Sequence, residues 1–246
     1  MPKIDDWISS IGFYDGEEDN NYRVLVYGET GVGKTLLAKS WPNPFVIDTD
    51  KGGATLKKLH IPFISIRRDV KGSFDTIMDI LSRLESKDPP FDELIVETLV
   101  IDSITALADI FLFEAMWFPP PSRVRKDPNK EKPEYDQWGQ LSANLKTVMK
   151  RTQDLGVNVL ATCGVMLDKD EVRGNYVGQP AIQGGYRHVV GHDFDGVFYM
   201  DVVGSGDTAK YILYTKKFTY FNSKVRGREL PYKIENPTYD KLLGEE

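Results

Sequence analysis

Gly28-Glu29-Thr30-Gly31-Val32-Gly33-Lys34-Thr35 matches the phosphate-cradling pattern G-x-x-x-x-G-K-[ST] at each specified position. A loop of this composition holds phosphate only when a strand delivers it and a helix leaves it, because the anion rests on the amides of the helix N-terminus. The flanks supply both. Tyr22-Arg23-Val24-Leu25-Val26-Tyr27 is a short apolar, β-favouring run that reads as a buried strand, and Lys34 to Ser40 reads as a helix stopped before Pro42. Gly28, Gly31 and Gly33 let the backbone turn tightly and aim its N–H groups inward. With Glu29, Thr30 and Val32 they make a cradle for a nucleoside triphosphate, in which Lys34 reaches the β- and γ-phosphates and Thr35 offers its hydroxyl to Mg²⁺. The bland alternative is a Gly-rich turn that ends by chance in Lys-Thr, and the flanking strand and helix weigh against it.

Magnesium keeps most of its waters and needs a carboxylate beside the phosphates to orient them. Leu99-Val100-Ile101-Asp102-Ser103 supplies one, as an apolar run that presents Asp102 at its C-terminal tip, where open α/β sheets bind their ligands. Alone the run is weak evidence, since Asp and Ser also cap helices. Downstream of a complete phosphate loop it becomes the expected metal site, with Thr35.

The 246 residues, 41% hydrophobic and 28% charged, are enough for one α/β unit with a real core. A lone cysteine, Cys163, excludes an internal disulfide and a cysteine metal cluster. No apolar stretch reaches membrane-spanning length, and Met1 to Asn21 lacks a continuous apolar signal region, so the expected location is the cytoplasm and no membrane partner is implied. A net charge of −6 excludes a surface that is basic all over, so nucleic-acid binding has to come from a local patch.

Along the chain, strand-like runs alternate with helical periodicity, the pattern of a mostly parallel sheet flanked by helices. Phe45-Val46-Ile47-Asp48 and Pro62 to Ile66 are further strands. Ser73 is placed to cap a helix carrying Ile77, Ile80, Leu81 and Leu84 on one face. A helix through Leu107, Phe111 and Ala115 ends at Pro119-Pro120-Pro121, and a polar loop from Ser122 to Pro133 follows. Trp138, Leu141, Leu145, Val148 and Met149 mark another helix, and Val157 to Thr162 another strand. Val197 to Val203 and Lys210 to Lys217 flank Gly204-Ser205-Gly206-Asp207, which predicts a hairpin and an antiparallel far edge. The expected organisation is one domain over 1–246, with an amino-terminal arm and acidic linker at 1–21, a core at 22–228 and a tail at 229–246. Ile4, Trp7, Ile8 and Ile11 share a helical face in the arm, fit either for a neighbouring protomer or for the chain's own core.

The order of motifs resembles the RecA-like P-loop ATPase core. Ile47-Asp48-Thr49-Asp50 is similar to the segment that carries that family's catalytic carboxylate, and Val100-Ile101-Asp102-Ser103 to its metal-binding strand. Gly178-Gln179-Pro180 with Gly184-Gly185 resembles its second DNA-binding loop, and Lys216-Lys217 resembles the lysines that reach a neighbour's nucleotide. The compact length is most similar to phage-encoded RecA-core ATPases that accompany single-strand annealing, which would place the protein in the host cytoplasm. The resemblance implies ATP and Mg²⁺ as cofactors, Asp50 as the group that orients the attacking water, and Thr162 as a γ-phosphate sensor. It also implies Lys34, Lys216 and Lys217 in turnover, and self-association into a ring or filament. Two positions depart from the family: Asp50 stands where a Glu is usual, and the sensing position at the end of the Val157 strand falls near Thr162 or Cys163 rather than on a Gln. Asp48 is two residues from Asp50 and competes for its role; Asp50 also suits a turn before Gly52-Gly53, and Thr162 suits a plain strand position.

Between Lys210 and Arg228 the chain carries Lys210, Lys216, Lys217, Lys224, Arg226 and Arg228 with no acidic residue, among Tyr211, Tyr214, Phe218, Tyr220 and Phe221. Cations beside rings suit single-stranded bases, and an edge hairpin with solvated lysines is the bland alternative. On family grounds the DNA contacts are Arg123, Arg125 and Lys126 in one loop and Arg173, Tyr186 and Arg187 in another, against the plain alternative of soluble charged loops, while Lys224, Arg226 and Arg228 are candidates from the basic stretch itself. The expected function is a DNA-stimulated, Mg-dependent ATPase that binds single-stranded DNA in recombination or annealing, with a single-strand DNA-binding protein as a candidate partner. A nucleotide-dependent switch or scaffold with weak hydrolysis is the competing reading, and a small-molecule kinase the third.

Overall fold

The computed structural model describes residues 21–68, 71–119, 132–169, 171 and 174–244. The amino-terminal arm and Arg123, Arg125, Lys126 and Arg173 lie outside the described residues.

The main sheet begins with β1 (Arg23–Tyr27), which runs into the phosphate loop and α1 (Lys34–Leu37). That helix tightens into a 3₁₀ turn at Ala38–Ser40, ahead of Pro42. Next come β2 (Pro44–Asp48), α2 (Gly53–Leu59), β3 (Phe63–Ser65), α3 (Ser73–Ser86), β4 (Thr98–Asp102) and α4 (Ile104–Trp117). Further on lie α5 (Tyr135–Gln153), β5 (Asn158–Cys163), a separate hairpin of β6 (Val165–Lys169) and β7 (Tyr176–Pro180), and β8 (Gly196–Val203). The chain closes with β9 (Lys210–Tyr214), β10 (Lys224–Val225), β11 (Lys233–Glu235) and α6 (Tyr239–Leu243). The strand order is β11-β9-β8-β1-β5-β4-β2-β3, with β10 also on β8. Strands β8, β1, β5, β4, β2 and β3 are parallel, and β9, β10 and β11 are antiparallel additions, as the sequence led us to expect.

Alternation along the strands divides the core. Leu25, Tyr27, Leu99, Ile101, Val159 and Ala161 face α3, α4 and α5, while Val24, Val26, Val100, Leu160 and Phe198 face Leu37, Trp41, Leu56 and Leu242. Both faces being covered, β4 and β5 are buried throughout, with unbroken apolar runs at Leu99–Ile101 and Val159–Ala161 between polar ends. The expected faces of the helices are confirmed, with Ile77, Ile80, Leu81 and Leu84 of α3 and Leu141, Leu145, Val148 and Met149 of α5 all buried. No helix among the described residues is long and apolar enough to cross a membrane.

Four local expectations are corrected. Ser73 is the first residue of α3, not its cap: Gly72 holds that place at φ 86°, and Glu114 of α4 accepts hydrogen bonds from the amides of Gly72 (2.6 Å) and Phe74 (3.1 Å). The strand expected to Lys217 stops at Tyr214, leaving Lys216 and Lys217 exposed past its end. Gly178-Gln179-Pro180 lies in β7 rather than in a loop. Of the aromatic residues expected to suit bases, three pack internally: Phe221 stacks on Tyr199 (3.7 Å between centroids) and Phe218 on Tyr214 (3.9 Å). The Phe221 ring lies so close to Gly178 that a Cβ there would fall 2.1 Å from it.

Tyr186 is also corrected. It is 2% exposed, with its hydroxyl donating to Asp193 at 2.6 Å, and so cannot stack on a base. Burial pushes its phenol far up, and the Asp193 carboxylate pushes it further. Lys150 meets the other Asp193 oxygen at 2.9 Å. Tyr186→Phe should therefore cost about 1–2 kcal/mol of stability in urea denaturation, from a buried carboxylate that loses one donor.

Candidate nucleotide-binding site

The parallel register brings four strand tips level. Val26 pairs with Thr162, Ile101 with Ala161, and Asp48 with Asp102, so Thr162 lies between the phosphate loop and Asp102. The Asp102 carboxylate, almost wholly buried, accepts from Thr35 Oγ1 at 2.7 Å on one oxygen and from Thr162 Oγ1 on the other. Its backbone carbonyl accepts from the amides of Thr49 (2.8 Å) and Asp50 (3.3 Å), which fixes the segment after β2. Ser103 caps α4 by accepting from Ala106 N at 3.3 Å. One side chain does what the sequence left open between a cap and a metal neighbour.

Beneath these tips opens a cleft of about 600 Å³, lined by Thr30, Lys34, Thr35, Asp50, Asp102 and Thr162 among others. Gly31 and Gly33 both stand at φ 88°, the left-handed turn that lets the loop curl. Gly28 has no room for a side chain, since a Cβ would meet Met200 O at 2.2 Å. Lys34 folds over the loop and donates to the carbonyls of Gly28 (2.8 Å) and Glu29 (2.7 Å). Burial lowers its pKa, and Asp102 works against that shift. A hydroxyl and a carboxylate oxygen in contact, next to an ammonium and a curled amide loop, are the hard-oxygen and cationic donors that a magnesium–triphosphate pair requires. The residues therefore fit that group.

The structure separates the two aspartates that the sequence left in competition. Asp48 is buried, with its carboxylate committed to Gly52 N (2.8 Å) and Ser65 Oγ (2.9 Å). Asp50 is exposed on the cleft wall and has no side-chain hydrogen bond to any of the described residues. Its pKa is raised, first by desolvation and then by the Asp102 and Asp48 charges, which suits a group that exchanges protons with a bound water. Sequence reasoning missed Asp109, half-buried in the same cleft and accepting from Gln183 Nε2 at 2.6 Å. Asp102 ends β4 whereas Asp109 lies on α4, one turn after Thr105, so no single local pattern joined the two in the sequence. A second, apolar hollow of about 350 Å³ adjoins the loop, between Leu36, Met200 and Tyr211 on one side and Asn236-Pro237-Thr238 on the other. It too was missed, because its walls come together only through β9 and β11.

The remaining expected residues are scattered. Lys216 and Lys217 do not line the cleft of their own chain. Lys224 is corrected as a DNA contact: its ammonium donates to the carbonyls of Gly191 (2.5 Å) and Phe194 (2.9 Å), with burial lowering its pKa. Since β10 pairs with Gly196 and Val197 at the start of β8, Lys224 and Arg226 lie at the end of the sheet away from the loop. Arg228 is likewise committed, to Leu243 O (3.2 Å) and the Tyr22 ring (5.5 Å). Arg187 pairs with Asp168 at 3.6 Å.

Two outcomes follow from this geometry. Lys34→Ala should abolish binding of a fluorescent ATP analogue while the far-ultraviolet dichroism is retained. The folded Asp50 carboxyl lies above its unfolded pKa, so its charge costs stability at neutral pH, and that cost disappears as pH falls through the raised pKa and below the ordinary carboxylate value. Asp50→Asn should accordingly melt higher than wild type at pH 7 without nucleotide, the difference closing near pH 4 in differential scanning fluorimetry.

Comparison with curated proteins finds no match. Among solved structures, a KaiC-like protein from Pyrococcus horikoshii is 13% identical over 88% of this chain and 89% of that one, with a TM-score of 0.46. The flagellar accessory protein FlaH from Methanocaldococcus jannaschii is 9% identical over 87% and 84%, with a TM-score of 0.42. A family model described as an AAA domain matches residues 20–227, most of the chain and all of the strand tips that form the cleft. The chain belongs to that family, and is a nucleotide-binding P-loop domain of the AAA type.

Proposed function

We propose that this protein is an Mg-dependent ATPase that assembles on single-stranded DNA, in the cytoplasm, and acts in recombination or strand annealing. The observation that carries the hydrolytic part is the pairing of an occupied Asp102, held by Thr35 and Thr162, with an unengaged Asp50 across the same cleft. Thr35 and Asp102 would hold a magnesium ion, which would supply neutralisation of the charge that develops on the transferring oxygens. The chain's own residues do the rest. Lys34 exchanges its loop carbonyls for phosphate oxygens, Thr35 and Asp102 orient the metal's waters, and Asp50 aligns the attacking water and takes its proton. Thr162 couples the γ-phosphate end to Asp102. The nucleoside base occupies the apolar hollow beside Gly33, against Tyr211.

The DNA and recombination parts rest on the RecA-like order of motifs and on the arginines and lysines of the stretches 122–133 and 173–188 in the sequence. Lys216 and Lys217, exposed and outside their own cleft, suit a neighbouring protomer's triphosphate. The switch or scaffold reading is kept alive by one observation: Lys224, Arg228 and Tyr186 are committed to internal partners.

ATP turnover measured with and without oligo-dT separates the two. Stimulation of severalfold is expected, and no stimulation together with no binding at low salt would favour the scaffold. In the assembled state Lys216→Ala and Lys217→Ala should each slow turnover, and mixing either with Asp50→Ala protein should restore part of it. A mixture that stays inactive would argue against a shared active site.

A further inference from the structure

Because the Asp50 side chain has no hydrogen bond to any of the described residues, its place on the cleft wall is set by the main chain beneath it. That main chain is held at both ends. Asp48, level with Asp102 across the sheet, closes the far side of the turn through Gly52 N (2.8 Å) and Ser65 Oγ (2.9 Å). On the near side, Thr49 carries the pairing past the strand ends. Its amide donates to Asp102 O at 2.8 Å, and its hydroxyl donates to Ser103 O at 2.7 Å while accepting from Ser103 N at 2.8 Å. Asp50 N adds a longer bond to Asp102 O, at 3.3 Å. Thr49 and Ser103 are 7% and 6% exposed, and Thr49 is not among the residues that line the cleft. The Ser103 hydroxyl is engaged elsewhere, with Ala106 N at the start of α4, so the side-chain group that grips this joint is the Thr49 hydroxyl.

Resting on the hydrolytic reading above, we propose that Thr49 is a positioning residue for the reaction: its hydroxyl fastens the turn that bears Asp50 to the strand end that bears Asp102, and so fixes the water-aligning carboxylate relative to the metal-holding one. The two carboxylates serve different parts of the reaction and come from different strands, so their separation has to be built in. A misplacement of about 1 Å in such an alignment costs on the order of 100-fold in rate. One hydroxyl supplies both a donor and an acceptor to the Ser103 main chain. Valine has the same shape and neither function, and it would leave the buried N–H and C=O of Ser103 without these partners. A turn released in this way moves Asp50, whereas the phosphate loop, carried by β1 and α1, keeps its form. The loss therefore falls on turnover and not on nucleotide affinity.

Steady-state ATP turnover of the full chain, with saturating Mg²⁺ and oligo-dT present, tests this beside the binding of a fluorescent ATP analogue. Thr49→Val should lower kcat about tenfold to a hundredfold and bind the analogue as wild type does. Thr49→Ser, which restores the hydroxyl, should recover most of kcat. Asp50→Ala should itself lower kcat, and adding Thr49→Val to it should lower kcat no further, because the group that Thr49 places is already gone. Where the valine variant does not fold, Thr49→Ala set against Thr49→Ser carries the same comparison. An unchanged kcat in Thr49→Val, no recovery in Thr49→Ser, or a further loss on top of Asp50→Ala would overturn the positioning role and leave the hydrolytic reading intact. A wild-type chain without turnover, or an Asp50→Ala variant as fast as wild type, would overturn both.

Discussion

A carboxylate taken out of water is tolerable only if its oxygens are occupied, and at Asp102 that condition organises the whole end of the sheet. Thr35 reaches it from the phosphate loop and Thr162 from the neighbouring strand, while its main chain holds the segment after β2. For those three partners to arrive together, β1, β5, β4 and β2 must be parallel and level at their carboxyl ends. The hydrophobic layers on either face of the sheet supply that alignment, so the core is the means by which a buried charge finds its donors.

Around Asp102 the fold accepts unfavourable electrostatics in a confined place. Asp48 is reconciled to burial by Gly52 and Ser65, yet Asp50 is left near two like charges with no donor among the described residues. Lys34, the cation best placed to relieve the group, is turned toward the loop's carbonyls. The site as folded is therefore tuned to a cation-bearing polyanion rather than to its own internal balance, the usual relation between a functional site and the stability of its scaffold.

What could be read from the residues and what could not divides along a physical line. The phosphate loop, the Asp102 strand, the covered parallel sheet and the buried faces of α3 and α5 were legible because local pattern and tertiary role coincide there: an uninterrupted apolar run suits a strand covered on both sides, and a period near 3.6 suits a helix against a sheet. The polar and aromatic assignments were less so. Lys224 finds its carbonyls 33 and 30 residues away, and Tyr186 finds a buried carboxylate, neither of which composition reveals. The choice between Asp48 and Asp50 depended on Ser65 arriving from another strand. At α3 the capping acceptor came from Glu114 on a different helix, which displaced the local Ser73.

The contact of Gly178 with Phe221 constrains how this sequence can drift. Phe221 is pinned by Tyr199 on its far side, and Gly178 is bonded through its amide to Tyr220 and through its carbonyl to Asn222, so neither partner can retreat. Replacement of the glycine becomes tolerable only in a background where the ring has already shrunk. Among homologues the two positions should therefore change as a linked pair, in that order, and leave a correlated signature that neither would show alone.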